Sequence, residues 1–368
     1  MKRLMVAALA AFGTWAAAGA AEAEKPAIKA VLVHLGANMW CDWYPEGTDL
    51  GKVGKFPPDT QLGTRDDLWR EVIDHAAAKG LNMVVIDIGE GLVYPSHPEL
   101  AIRGSWPAAK LRAEVERIRS LGLEPIPKLN FSTSHNGWLK HYRRIVSTPA
   151  YYKVCEDVLA DVHEVFGHPR FIHIGCDEET AHHQCAGGQF QYVSVRLGDA
   201  WWCDFLHLVK TVERLGARAW AWSDYGWAHP EEFVARCPKS VVLSNWFYDE
   251  GDGGFDIGAN AAPDRVRLSN FYLLKKAGYD QIPCASNYIG WKRREHGKGA
   301  DDVIGRTVEL GRRDLDNGHL LGFMMASWQV SRNRKRADCT LHGIDLMADA
   351  LEGRIADPGT CDPKAEDY

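Results

Sequence analysis

Past its first twenty residues the chain has no run of eighteen apolar residues, so no later segment reads as a membrane span. It has no basic excess. The formal charge is −6 and becomes more negative if Lys2 and Arg3 leave with a leader, which makes a nucleic-acid partner unfavourable. It has no CxxC pair and no cysteine spacing suited to zinc, and its nine cysteines are an odd number. It has no glycine-rich phosphate loop after the first strand-like run, where HLGANMWCDW stands instead. Low-complexity tracts and long internal repeats are also missing, so one ordinary globular domain is expected.

What is present begins with a leader. A basic start, Met1-Lys2-Arg3, precedes a short apolar stretch and the small-residue sites Ala18-Gly19-Ala20 and Ala21-Glu22-Ala23. This pattern reads as a secretory signal peptide over 1–23, with an N-terminal anchor as the alternative. The expectation is a secreted or periplasmic protein that makes no membrane contact once the leader is cleaved. Export would permit disulfides. Cys339–Cys361 and Cys176–Cys185 are candidate pairs, and Cys155 and Cys203 read as buried helix residues. Residues 24–355 form the expected domain and 356–368 a C-terminal tail.

Eight short apolar runs rich in β-branched residues recur along the domain: 28–36, 81–89, 123–131, 171–178, 217–225, 241–249, 281–289 and 319–328. Helical patterns fill many of the intervals: 64–80 with Thr64 as its N-cap and Gly80 closing it, 107–122, 148–166, 195–216 and 300–318. The glycine-rich stretch 249–264 reads as a long loop after the sixth strand. Apolar strands alternating with helices indicate parallel βα units, and eight of them predict a (β/α)8 TIM barrel. An open doubly wound sheet is the alternative.

A barrel of this kind carries its active site where the strands end. The residues gathered there are Asn130, His135 and Trp138 after strand three, and Asp177, Glu178 and Glu179 after strand four. Strand five adds Trp222 and Asp224, strand six Trp246 and Tyr248, strand seven Tyr288 and strand eight Trp328. Fourteen tryptophans are many for this length, and eight of them fall at this one end. Aromatic faces match the C–H faces of a pyranose, and amides and carboxylates match its hydroxyls, so a carbohydrate substrate is expected. Alternation along strand four puts His173, Gly175 and Asp177 on the barrel axis and Ile172, Ile174 and Cys176 against the helices. Glu178 follows the last ladder position and can swing over the same mouth, whereas Glu179 reads as facing a solvated loop. Adjacent carboxylates raise one another's pKa, so Asp177 and Glu178 are expected to share a proton near neutral pH.

The run His173-Ile174-Gly175-Cys176-Asp177-Glu178 resembles the strand-four motif of family 20 glycoside hydrolases, the β-N-acetylhexosaminidases, whose usual form has two glycines before the acid pair. AWAWSDYGW resembles the strand-five region of that family, and Trp328 matches its closing strand-eight tryptophan. The resemblance implies substrate assistance, in which the acetamido oxygen of the sugar attacks its own anomeric carbon. Carried onto this chain, Asp177 would orient the acetamido group and Glu178 would be general acid and then base. Tyr248 or Tyr288 would hold the acetamido oxygen, and no cofactor is implied. The family's strand-one arginine has no counterpart, its strand-three Asp-x-Pro-Gly-His is replaced by Asn130 through His135, and its small preceding domain is absent.

Other readings stay open. A two-carboxylate retaining glycosidase acting on non-acetamido sugars would need a nucleophile near Glu178, for which Asp224 or Asp249 is available. A catalytically silent sugar-binding protein would keep the aromatic mouth alone. Metal chemistry is disfavoured: HEVFGH (163–168) spaces its histidines by five, which places them on different faces of a helix, and His182-His183 read as loop residues. Lys128 is a candidate Schiff-base lysine, or else the partner of a neighbouring acid in the barrel.

Overall fold

The structure, a computed structural model, describes residues 27–41, 58–179, 196–248, 262–287 and 303–354. The signal peptide, Tyr288, His182, His183, Asp249 and the tail lie outside these residues. Eight parallel strands follow one another in sequence: β1 Ile28–His34, β2 Met83–Asp87, β3 Glu124–Lys128, β4 Phe171–His173, β5 Arg218–Trp222, β6 Val242–Ser244, β7 Cys284–Ala285 and β8 Gly322–Val330. Each lies inside, or within two residues of, a run expected to be a strand. Their order in the sheet is β6-β5-β4-β3-β2-β1-β8-β7. Parallel bridges Leu243 to Gln281 and Trp246 to Cys284 join its two ends, so the chain forms a (β/α)8 barrel.

A helix follows every strand: α1 Asp66–Ala78, α2 Ala108–Ser120, α3 Pro149–Val165, α4 Asp199–Arg214, α5 Pro230–Arg236, α6 Ala262–Ala277, α7 Val303–Leu310 and α8 Arg334–Leu351. Helices α5, α6 and α8 lie outside the expected helical intervals. In α8, Asn333 supplies the start signal by accepting from the Arg336 amide at 3.0 Å. Thr64 does not cap α1. Arg65 is the residue before that helix, and the Thr64 hydroxyl donates instead to the Leu35 carbonyl at 2.8 Å, tying the helix start to the end of β1. Gly80 ends α1 as expected, with φ of 76°.

Two cores result from strand alternation. Ala30, Leu32, Met83, Val85, Ile126, Phe171, Trp220, Val242 and Met324 fill the barrel. Val31, Val33, Val84, Ile86, Ile172, Ile174 and Ala219 face the helices. No helix among the described residues is long and apolar enough to cross a membrane.

The cysteines depart from expectation in two places. Cys176 is a free, buried thiol, so it does not pair with Cys185, because its side chain belongs to the core between sheet and helices. Cys203 is exposed on α4, whose buried face is made by Trp201, Trp202, Phe205 and Leu208. Cys155 is buried, and Cys339 is disulfide-bonded to a partner outside the described residues.

Candidate active site

Alternation carries past the apolar layers of the barrel into a polar one. After Leu32, Val85, Ile126 and Phe171, the next inward positions on β1 to β4 are His34, Asp87, Lys128 and His173, and register pairs them side by side. All four are buried. The Lys128 ammonium donates to Asp87, so the lysine is the partner of a barrel acid. Burial holds the His34 imidazole down at about 4 and the His173 imidazole well below its usual value, so both rings are neutral. The layer is thus one ion pair flanked by two neutral rings. His173 also accepts from the Gly175 amide at 3.0 Å and packs on Trp220 and Trp222. His34 was absent from the residues expected at the site, although the 28, 30, 32, 34 alternation contained the signal.

Above this layer the chain leaves β4 in an unusual way. Gly175, Cys176 and Glu178 have φ of 72°, 70° and 52°. Gly175 is required twice, because a Cβ there would also sit 2.1 Å from the Asn130 amide oxygen. The second glycine of the family motif corresponds to Cys176, a left-handed position that glycine occupies without strain.

The twisted exit brings both carboxylates to one imidazole. His135 Nδ1 lies 3.4 Å from Asp177 Oδ2, and its Nε2 lies 3.2 Å from Glu178 Oε2. Asn130 donates to Asp177 Oδ1 at 2.8 Å, and Ser132 and Ser134 both donate to the Asp177 carbonyl. Burial would lower the His135 pKa, but Asp177 and then Glu178 hold it well above the usual value, so the ring is an imidazolium. Burial would raise Asp177, but His135, Lys128 and the Asn130 amide keep it below the usual carboxylate range.

A second buried acid bears on Asp177. Asp224, at the end of β5, is buried and its Oδ2 accepts from the Glu178 amide at 2.5 Å. Burial and then the nearby Asp177 charge push its pKa well above the usual carboxylate value, whereas Asp177 is held below it. Asp177 is the anion of the pair because it has the His135 imidazolium and the Asn130 amide, whereas Asp224 has the Glu178 backbone amide and no cation.

Glu179 does not face a loop. It is buried, accepts from Thr133 at 2.9 Å and pairs with Arg196 at 2.7 Å; Arg196 also pairs with Asp204 at 2.6 Å. Arg196 further donates to the Phe131 carbonyl at 2.7 Å, so one guanidinium ties the ends of β3 and β4 to α4. Sequence reading missed Arg196, Ser132 and Ser134, since nothing local marks them.

The other expected residues divide by depth. Trp246, Tyr248 and Trp328 gather half-buried at the mouth, with Trp222 buried in the barrel core beneath them: Trp246 stacks on Tyr248 with centroids 4.9 Å apart, and the Trp328 indole donates to the Tyr248 hydroxyl at 3.0 Å. Trp222 lies 5.8 Å from Trp328, which in turn covers His34. Trp138 is fully buried in the outer core, where its indole donates to the Asn130 carbonyl at 2.7 Å. It therefore positions Asn130 and offers no face to a sugar. His173 and Asn130 are likewise buried and act through Gly175 and Asp177. The Glu178 side chain is 35% exposed, the most open of the acids around His135.

No protein-family model matches the chain, and no curated protein matches it by sequence. Solved structures do resemble it. A β-N-acetylhexosaminidase from Bacteroides fragilis superposes with a TM-score of 0.60 at 14% identity, over 88% of this chain and 65% of that one. A family 20 exo-β-N-acetylglucosaminidase from Vibrio harveyi, in complex with N-acetylglucosamine, gives 0.56 at 13% identity, over 88% and 54%. The pneumococcal virulence factor StrH gives 0.54 at 12% identity, over 90% and 85%. The chain therefore spans between about half and two thirds of the length of the first two. At these identities the likeness is one of fold, and the chain has the barrel of the family 20 β-N-acetylhexosaminidases.

Proposed function

We propose that the chain is a glycoside hydrolase that cleaves N-acetylhexosamine-bearing glycans by substrate assistance. The observation that carries this reading is the unequal placement of three acids: Asp177 and Glu178 flank His135, and Asp224 is buried against the Glu178 amide. Substrate assistance needs a lasting anion to orient the acetamido N–H and raise the nucleophilicity of its oxygen. Asp177 suits that role, held ionised by His135 and Asn130. It also needs a reachable carboxyl to protonate the departing oxygen and later deprotonate water; Glu178 is the accessible acid, and the His135 imidazolium, with Nε2 3.2 Å from Glu178 Oε2, would hand it the proton. The rival mechanism needs a second ionised carboxylate as nucleophile. Asp224 is a poor one, being buried, neutral and engaged by the Glu178 amide. Trp246 and Trp328 would wall the sugar, with Trp222 beneath them, and the Tyr248 hydroxyl would meet the acetamido oxygen. The 1–23 segment supports export.

The test is hydrolysis of a panel of nitrophenyl glycosides with and without the 2-acetamido group. Turnover is expected only for the acetamido sugars. Glu178→Gln should lower kcat by about 10²–10⁴-fold, with the loss smaller for dinitrophenyl leaving groups that need less protonation. Asp177→Asn should lose activity with either leaving group, while Asp224→Asn, which replaces a neutral acid with its neutral isostere, should stay within about tenfold of the parent. Turnover of plain glucosides that Asp224→Asn abolishes would replace this reading with the two-carboxylate one. Sugar binding without turnover would leave a binding protein.

A further inference from the structure

The HEVFGH segment behaves differently from its expected helical geometry. Helix α3 stops at Val165, and the chain closes in a Schellman turn: the Gly167 amide donates to the Glu164 carbonyl at 3.2 Å and the His168 amide to the His163 carbonyl at 3.0 Å. Such a turn brings the residue two past the cap back over the last full turn of the helix. An apolar contact commonly occupies that place. Here it is made by two imidazoles, and the spacing of five that separates the histidines on a continuous helix unites them. Gly167 and His168 both have φ of 59°, the latter a left-handed position held by a non-glycine residue.

The ring nitrogens His163 Nδ1 and His168 Nδ1 are 3.3 Å apart, and Glu164 Oε1 lies 3.9 Å and 3.8 Å from them. Two ligands on a tetrahedral zinc, each at the usual Zn–N distance, are separated by about 3.3–3.4 Å. The imidazoles already have that separation. The carboxylate must close by about half an ångström to reach a similar Zn–O geometry, a small rotation for a side chain that is 67% exposed. His163 is buried and fixed by the helix, and His168 is 65% exposed, so the open side of the cluster faces solvent. The turn is held by Arg119, which donates to the Phe166 carbonyl and whose charge is itself paired with Glu116.

We infer that His163, Glu164 and His168 form a surface site for a divalent zinc-like ion, with water in the fourth position. The site lies where α3 turns into β4, at the end of the barrel opposite Asp177 and Glu178, so the ion would fasten the helix end and take no part in glycoside cleavage. Two imidazoles and one carboxylate select borderline first-row ions over calcium or magnesium.

The experiment is titration of chelator-stripped, tag-free protein with zinc chloride by calorimetry, with Co(II) as a spectroscopic probe. One zinc per chain is expected, together with visible absorption from tetrahedral Co(II) and a melting temperature that rises with zinc. His168→Ala removes an exposed ligand, so it should keep the parent's fold and glycosidase activity while weakening zinc by at least about tenfold. It should also abolish the Co(II) band and the zinc-dependent rise in melting temperature. Absence of stoichiometric binding, or binding that His168→Ala leaves unchanged, would overturn the site.

Discussion

Glu90 shows how a single buried group can set a pH dependence apart from catalysis. It follows β2, is buried, and its carboxylate oxygens accept from the Ala37 and Asn38 amides at 2.7 Å and 3.0 Å. Burial raises its pKa to about 7 despite those amides. Between the ordinary value of 4.5 and about 7 the folded chain keeps a proton that the unfolded chain has lost. Stability should therefore fall as pH rises through that window, by up to about 3 kcal/mol, and then level off. Denaturant titrations at pH 5 and pH 8 check this, and Glu90→Gln should flatten the difference. A slope that survives in the variant would assign it to other groups. At this scale the place of Asp177 and Glu178 after strand four was legible, but alternation stops at His173, and the left-handed exit that turns both carboxylates to His135 was not. The raised pKa of Asp224 was not legible either, because its causes are burial and then the charge of Asp177 from a neighbouring strand. Local polarity likewise misassigned Glu179, whose partner Arg196 is seventeen residues on.

Among the elements, the exit from β4 is the one that the barrel must support from outside. Three left-handed residues in four are costly, roughly 1 kcal/mol or more for each non-glycine. They persist because Asn130, Ser132 and Ser134 hold the Asp177 end, and Arg196 holds Glu179 and Asp204 beneath. Arg196→Met would leave two buried carboxylates without their shared cation. A loss of about 3–5 kcal/mol is expected in equilibrium unfolding, and a change under 1 kcal/mol would contradict the role given to this residue. Strand positions were readable because each run is short, β-branched and flanked by turn residues. Helices α5, α6 and α8 were not, because polar and charged residues dilute their apolar stripes, as in PEEFVAR and RKRADCTLHG. Trp138 shows the limit of reading by position: strand-end residues in sequence include both those facing the mouth and those packed outward, and only the fold separates them.

For the whole molecule, the proposed sugar site and the proposed ion site on α3 lie at opposite ends of the barrel. The fold followed from counting eight runs, but the arrangement of Asp177, Glu178 and Asp224 depends on contacts between strand ends, with His135 between the first two acids and Asp224 on the Glu178 amide. In the proposed reaction the nucleophile belongs to the substrate. This is tested most directly by kcat/KM for a series of nitrophenyl glucosaminides whose N-acetyl group carries zero to three fluorines. Each fluorine weakens the acetamido oxygen as a nucleophile while leaving the leaving group unchanged. A steep, monotonic fall across the series is the predicted result, and a flat series would place the nucleophile on the protein and contradict the account.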